Sequence, residues 1–114
     1  MFCVASVFRY IIFYIALNLK NKMDLQEIKI IKSDERGIIY NCGKSSFITR
    51  RKGTISANHT HEDNEIVYLV RGEVELTIGD ETQIVKAPIM FETAPNVYHK
   101  LVALTDIDLV IDRS

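Results

Sequence analysis

Cysteine is scarce in this chain, which has only Cys3 and Cys42 among 114 residues, at no spacing typical of a disulfide framework. This scarcity argues against a disulfide-stabilised secreted scaffold and predicts reduced thiols and a cytoplasmic location. Cys42 is expected to be a small buried hydrophobic residue rather than a nucleophile.

An excess of charge of either sign is also lacking. The 14 Lys and Arg and the 15 Asp and Glu are interspersed and give a net charge of −1. No basic face for nucleic acid or another polyanion is visible, so nucleic acid is not expected as a partner. The length fits one domain with a single buried core.

No apolar run is long enough for a membrane-spanning helix. Residues 1–22 are apolar and aromatic, but Arg9 leaves only about ten uninterrupted apolar residues before Asn18, where a bilayer crossing needs about 20. A basic start and a signal-peptide cleavage site are missing too. Three interpretations remain open: a membrane anchor, a helix packed on the domain or its dimer, or sequence upstream of a true start at Met23. The third is favoured because regular patterning begins there, and a membrane is a partner only under the first.

From Met23 onward the chain has the pattern of short strands separated by turns. No helical period, repeat or low-complexity linker interrupts it, so residues 23–114 are predicted to form one all-β domain, a sandwich or barrel. Strands are predicted at residues 25–31, 38–42, 45–52, 65–71, 73–78, 82–86, 89–93, 97–104 and 107–112, with a further strand through His59 and His61.

The three histidines of the chain carry its strongest functional signal. His59 and His61 are two residues apart, so a strand places both side chains on one face. The turn-prone residues 62–64 precede Glu65, and a hairpin there returns its carboxylate over the two imidazoles. His99 follows another turn signal. Three imidazoles and one carboxylate suit a divalent transition metal, whether iron, manganese, nickel, cobalt or zinc.

This stretch resembles the first motif of the cupin family, which is a glycine, five residues, His-x-His, three or four residues, a glutamate, six residues and a glycine. The matching residues are Gly53, His59, His61, Glu65 and Gly72.

The second cupin motif is matched in part. His99 falls on its metal-binding histidine, while Ala94 and Asn96 stand where a proline and a glycine belong, and the motif's last asparagine is missing. The resemblance spans roughly residues 38–111. It implies a small, single-domain, cupin-2-like and RmlC-like protein with a jelly-roll barrel, and a metal held by His59, His61, Glu65 and His99.

Four protein ligands on an octahedral ion leave two neighbouring positions open, which suit a bidentate oxygen substrate or one substrate atom and dioxygen. We therefore expect a metal-dependent enzyme of the dioxygenase or isomerase type that acts on a small oxygenated organic compound. Two alternatives stay open: a non-catalytic module that binds metal or a small ligand, and a sensor tethered to a membrane through residues 1–22.

No residue beyond the four ligands stands out as a general base or nucleophile, but four are candidates. Tyr68 and Tyr98 can donate to a substrate near the metal, although core or interface tyrosines are more common. Glu92 is an acid–base candidate near His99. Arg50 belongs to a short basic run that either holds an anionic substrate at the barrel mouth or forms a solvated edge.

The strand that begins at Glu65 is apolar on both faces: Val67 and Leu69 share the face of Glu65, and Ile66, Tyr68 and Val70 lie on the other. A strand of this kind is covered on both sides. We expect the second cover to be another copy of the chain in a homodimer, with a packed N-terminal segment as the alternative.

Overall fold

The computed structural model describes residues 23–113, so residues 1–22 and the three interpretations of them lie outside the described part. The described residues form ten strands and no helix: β1 Ile30–Asp34, β2 Gly37–Cys42, β3 Ser45–Arg50, β4 Ile55–His59, β5 Glu65–Arg71, β6 Glu73–Ile78, β7 Glu81–Lys86, β8 Ile89–Thr93, β9 His99–Ala103 and β10 Ile107–Arg113. Within these residues, therefore, no helix could cross a bilayer.

The strands build two antiparallel sheets. The larger has the order β1-β2-β3-β10-β5-β8 and the smaller the order β4-β9-β6-β7. Apolar side chains on the two inner faces pack against each other and remove their surface from water. The buried apolar residues are Ile48, Val67, Leu69, Val74, Leu76, Leu101, Ala103, Ile107 and Leu109. The predicted all-β jelly-roll architecture is confirmed.

Gly72 allows β5 to run directly into β6. Its φ is +101°, and a Cβ built there would lie 2.5 Å from the carbonyl oxygen of Asp106. A side chain at this position meets both backbone strain and a steric clash, so glycine is required.

One extra residue interrupts the ladder between β4 and β9. Ser56 lies opposite Leu101 and His59 opposite His99, so three steps along β4 match two along β9. Ala57, inside this bulge, has a φ of +54°. Side chains three apart in a regular strand point to opposite faces. The bulge removes this alternation, and both Ser56 and His59 line the cavity between the sheets.

Some predicted boundaries and one predicted environment were wrong. The first strand begins at Ile30 rather than at residue 25, because β2 extends only two residues beyond Tyr40, the partner of Ile30, and leaves the earlier residues no strand to pair with. Cys42 is exposed rather than buried, because it stands at the end of β2 beside the turn into β3.

Six apolar residues, one from each strand, form a continuous row on the outer face of the larger sheet. In sheet order the row is Ile30, Tyr40, Phe47, Val110, Tyr68 and Met90, each directly opposite the next. The exposed fractions of Ile30, Tyr68 and Met90 are 55%, 39% and 56%. Within residues 23–113, this outer apolar row therefore faces solvent.

Candidate metal centre

The three histidines come together at one end of the sandwich. His59 ends β4, His61 follows two residues later, and His99 opens β9 directly opposite His59. The Nε2 atoms of His59 and His61 are 2.7 Å apart. One ring nitrogen from each of the three imidazoles lies within 4.8 Å of the others.

The ring of His99 is oriented from behind by the main chain. Its Nδ1 lies 3.3 Å from the carbonyl oxygen of Val97, which favours the tautomer with the proton on Nδ1. The other nitrogen, Nε2, is buried and has no hydrogen-bond partner. A buried polar atom without a partner is energetically costly, so Nε2 is available for a ligand. Metal-binding histidines commonly donate a hydrogen bond from their second ring nitrogen to a carbonyl oxygen, as Nδ1 does here.

Glu65 brings a buried carboxylate to the histidines. It is 2% exposed, with Oε2 3.3 Å from His61 Nε2 and Oε1 3.7 Å from His99 Nε2. The turn after His61 therefore returns the carboxylate over the imidazoles as predicted, but β4 and β5 lie in different sheets and do not pair, so the predicted hairpin is wrong. Arg113 donates a hydrogen bond from Nε to Glu65 Oε2 at 3.0 Å. Sequence reasoning missed Arg113, although alternation from Leu109 along β10 points it inward.

The chemistry of this donor set fits a divalent transition metal. Burial, and then the neighbouring charges of His61 and His99, lower the pKa of His59, which favours the neutral imidazole that binds metals. Three nitrogens around one ion at about 2.1 Å are roughly 3–3.5 Å apart, so small ring movements suffice. Glu65 adds one negative charge and two oxygen atoms.

A cavity of about 180 Å³ opens beside the cluster between the two sheets. Four kinds of side chain line it: the three imidazoles with Glu65, an apolar wall, three arginines and the hydroxyl of Ser56. The apolar wall includes Ile39, Ile48, Val67, Leu76, Phe91 and Leu101, and the arginines are Arg36, Arg50 and Arg113. Val67 and Leu69 both belong to the core and share the face of Glu65, but only Val67 lines the cavity.

Only one of the four further candidates reaches this cavity. Tyr68 lies on the outer face of β5, and Tyr98 is 40% exposed; neither lines the cavity. Glu92 is exposed, and its Oε1 accepts a hydrogen bond from Asn64 at 2.6 Å, away from the lining residues. Arg50 is buried and lines the cavity rather than forming a solvated edge.

Comparison with known proteins agrees with this architecture. The family model of the cupin domain matches residues 46–111, which include all three histidines and Glu65. Among curated proteins, none matches this chain.

Three solved structures share the fold. An RmlC-like cupin from Shewanella frigidimarina is 22% identical over 77% of this chain and 82% of its own, with a TM-score of 0.61. The iron(II) form of HppE is 12% identical over 82% and 62%, also with a TM-score of 0.61. CapF, called a capsular polysaccharide assembling protein in Staphylococcus aureus, was solved with the inhibitor 3-isopropenyl-tropolone. That structure is 18% identical over 78% of this chain and 30% of its own, with a TM-score of 0.67.

Proposed function

The chain belongs to the cupin domain family, and from this premise we propose that it is a metal-dependent enzyme acting on a small oxygenated organic compound. His59, His61, His99 and Glu65 hold one divalent transition-metal ion. The reaction is of the dioxygenase or isomerase type. The observation that carries the proposal is the buried, unpartnered Nε2 of His99, which lies beside two further imidazoles at the wall of a cavity.

The residues around the cluster have separate roles in this proposal. Val97 and Arg113 position the ligands, because they hold His99 Nδ1 and Glu65 Oε2 from outside the cluster. Val67 and Phe91 exclude water from the cavity, which strengthens the charge interactions inside it. The metal, when bound, supplies Lewis acidity or redox chemistry. The relation to the iron(II) form of HppE supports the fold of such an enzyme.

A non-catalytic binding module is the second candidate. It is supported by the lining of the cavity, which offers few groups for acid–base chemistry. Among the described lining residues, Glu65 is the only carboxylate. Ser56 carries the only hydroxyl, and that hydroxyl already accepts a hydrogen bond from Arg50. A module of this kind binds the metal and a small ligand without converting it.

Elemental analysis of the purified protein, before and after incubation with Fe²⁺, Mn²⁺, Ni²⁺, Co²⁺ or Zn²⁺, tests the metal centre. We expect about one equivalent in the parent protein and its loss in the Glu65→Gln, His99→Ala double variant. Glu92→Gln, which removes a carboxylate outside the cavity, is the control and keeps its metal. The same low metal content in all three proteins would overturn the proposal. Oxygen uptake or isomerisation by the loaded protein then separates the enzyme from the binding module.

We also propose that the protein is a homodimer, formed through the outer apolar row. The row crosses six strands, about 24 Å at ordinary strand spacing, and two such faces can pack in a two-fold arrangement. Sedimentation of the parent protein should show a dimer, and Tyr68→Lys should show a monomer. Ile84→Lys, which replaces a 65% exposed residue of the smaller sheet, is the control and should remain dimeric. A monomeric parent protein at high micromolar concentration would refute this interface.

A further inference from the structure

Arg50 is a buried cation inside the cavity of the proposed metal centre. It is 7% exposed, on the inner face of β3. Its Nε donates to Ser56 Oγ at 3.0 Å and its Nη1 donates to the carbonyl oxygen of Thr49 at 3.1 Å. Both acceptors are uncharged, so these bonds orient the guanidinium without neutralising it.

The other two arginines of the cavity each have a carboxylate partner. Arg36 Nη2 lies 2.9 Å from Asp34 Oδ2, and Arg113 Nε lies 3.0 Å from Glu65 Oε2. Among residues 23–113, Arg50 has no carboxylate within ion-pair distance. Burial, and then the charge of Arg36, lower its pKa. A buried charge without a counter-ion is unfavourable, because the interior screens and solvates it poorly.

The surroundings of Arg50 restrict what can neutralise it. One uncompensated positive charge matches a monoanion, whereas a phosphate dianion would bring a second charge. The wall near it is apolar, including Ile39, Ile48 and Leu109, and suits a carbon skeleton. The cavity of about 180 Å³ is smaller than the ~300–1,000 Å³ pockets of drug-sized ligands, so the compound is small. A guanidinium fork binds a carboxylate with two parallel hydrogen bonds.

We propose that Arg50 binds the carboxylate of a small organic acid, which occupies the cavity beside the metal centre. This inference rests on the proposed function in that the acid is the substrate, or the bound ligand, of that centre. It assigns Arg50 to substrate recognition and leaves the metal to the histidines and Glu65. Ser56 is a positioning residue, because it holds the guanidinium toward the cavity from the opposite sheet.

Calorimetric titration with matched acids and amides tests the assignment. The probes are pyruvate and butanoate, their neutral counterparts pyruvamide and butanamide, and inorganic phosphate, each added to Co²⁺-loaded and to metal-free protein. Because a hydrogen bond to a charged group is stronger than a neutral one, at least one acid should bind about ten- to a hundred-fold more tightly than its amide. Arg50→Gln should abolish that preference, and Arg50→Lys should keep part of it.

The matched control is Arg51→Gln, which changes the exposed neighbouring arginine and should leave the acid preference unchanged. Metal content should be the same in the parent and in Arg50→Gln, so a loss of binding cannot come from a loss of metal. If Arg50→Gln does not fold, the comparison of acid with amide on the parent protein still tests whether the cavity prefers a carboxylate.

Three results would overturn the inference. They are equal affinity for acid and amide in the parent protein, an unchanged acid preference in Arg50→Gln, and no acid binding at millimolar concentration with or without Co²⁺. Phosphate bound more tightly than both acids would also overturn the carboxylate assignment. If the protein takes up no metal, the proposed function is contradicted instead. The titrations of metal-free protein then test the binding of acids by Arg50 independently of the metal.

Discussion

Arg113 Nε donates a hydrogen bond to Glu65 Oε2 at 3.0 Å, and the same oxygen lies 3.3 Å from His61 Nε2. The last described strand thus neutralises the carboxylate that the family motif supplies. Arg113 is half exposed while Glu65 is almost fully buried. If the pair is broken, the guanidinium stays hydrated, whereas the carboxylate is left buried without a cation. The carboxylate loses its only cationic side-chain partner among the described residues.

Arg113→Gln should destabilise the metal-free protein by about 1–2 kcal/mol, because Glu65 becomes a buried charge without a cation, while the exposure of Arg113 limits the loss. The rise in Tm on adding Co²⁺ should then be larger than in the parent, since the metal replaces the missing positive charge. Differential scanning fluorimetry with and without Co²⁺ measures both effects. Arg71→Gln, which breaks the exposed pair with Asp108, is the control. An identical metal-induced rise in all three proteins contradicts the competition between Arg113 and the metal for Glu65.

His61→Ala should lower the metal content strongly but change the metal-free free energy of unfolding by less than about 1 kcal/mol. The reason is that His61 is only partly buried and follows the end of β4, so its removal leaves little cavity. Elemental analysis and urea denaturation without metal measure the two quantities. Thr60→Ala, the exposed neighbour, should retain the metal. Full metal loading of His61→Ala would remove His61 from the ligand set.

Asp34 should titrate well below an ordinary carboxyl group. Hydrogen bonds from the side chain and then the backbone of Arg36 lower its pKa from 3.8 to about 2. The pKa of Asp34 is lower in the folded state than in the unfolded state. The contribution of the Asp34–Arg36 pair to the stability of the fold is therefore complete above pH ~4 and is lost as the pH falls toward 2. Carbon NMR of the carboxylate should give a midpoint near the lower value in the parent and near the higher one in Arg36→Gln. Arg71→Gln should leave this midpoint unchanged, and a parent midpoint close to 3.8 would show that the pair does not form in solution.

Ala57 has a left-handed backbone conformation that costs a non-glycine residue about 1–2 kcal/mol. Ala57→Gly should therefore raise the free energy of unfolding by up to about 1 kcal/mol, the gain being reduced by the greater freedom of glycine in the unfolded chain. Ala57→Val should lower it by more than about 1 kcal/mol, because a β-branched side chain fits this conformation poorly. Urea denaturation of the three proteins provides the comparison. Greater stability of the valine variant would mean that the bulge is absent in solution.

The grouping of the three histidines with Glu65 was largely predictable because its signal is local. The spacing of His59, His61 and Glu65 indicated one shared face and a turn back over it, although β4 ends at His59 and forms no hairpin with β5. His99 was the only histidine left to complete the set. The positions of the longer strands were predictable for the same reason, from apolar alternation and turn residues. Their ends were less predictable, as β1 shows, because the end of a strand depends on the length of its partner.

The features that sequence reasoning missed or left open depend on contacts between distant strands. The outer apolar row takes one residue from each of six strands, so it becomes visible only when the strand order and register are known. The sequence left open whether Arg50 faces the cavity or a solvated edge, because its orientation depends on Ser56 in the opposite sheet. Ordinary alternation places Ser56 and His59 on opposite faces, and only the bulge at Ala57 brings both to the cavity.

The bulge in β4 makes the cavity sensitive to chain length as well as to chemistry. At the present chain length, a regular strand from Ser56 to His59 would place their side chains on opposite faces, without altering a proposed metal ligand or Arg50 itself. The imidazoles would keep their places while the hydroxyl that holds the guanidinium turned outward. A related chain with one residue fewer in this segment needs no bulge, because residues two apart in a regular strand already share a face. Loss of the bulge without a change in length would therefore separate Arg50 from its hydroxyl, whereas a compensating one-residue deletion would keep the two together.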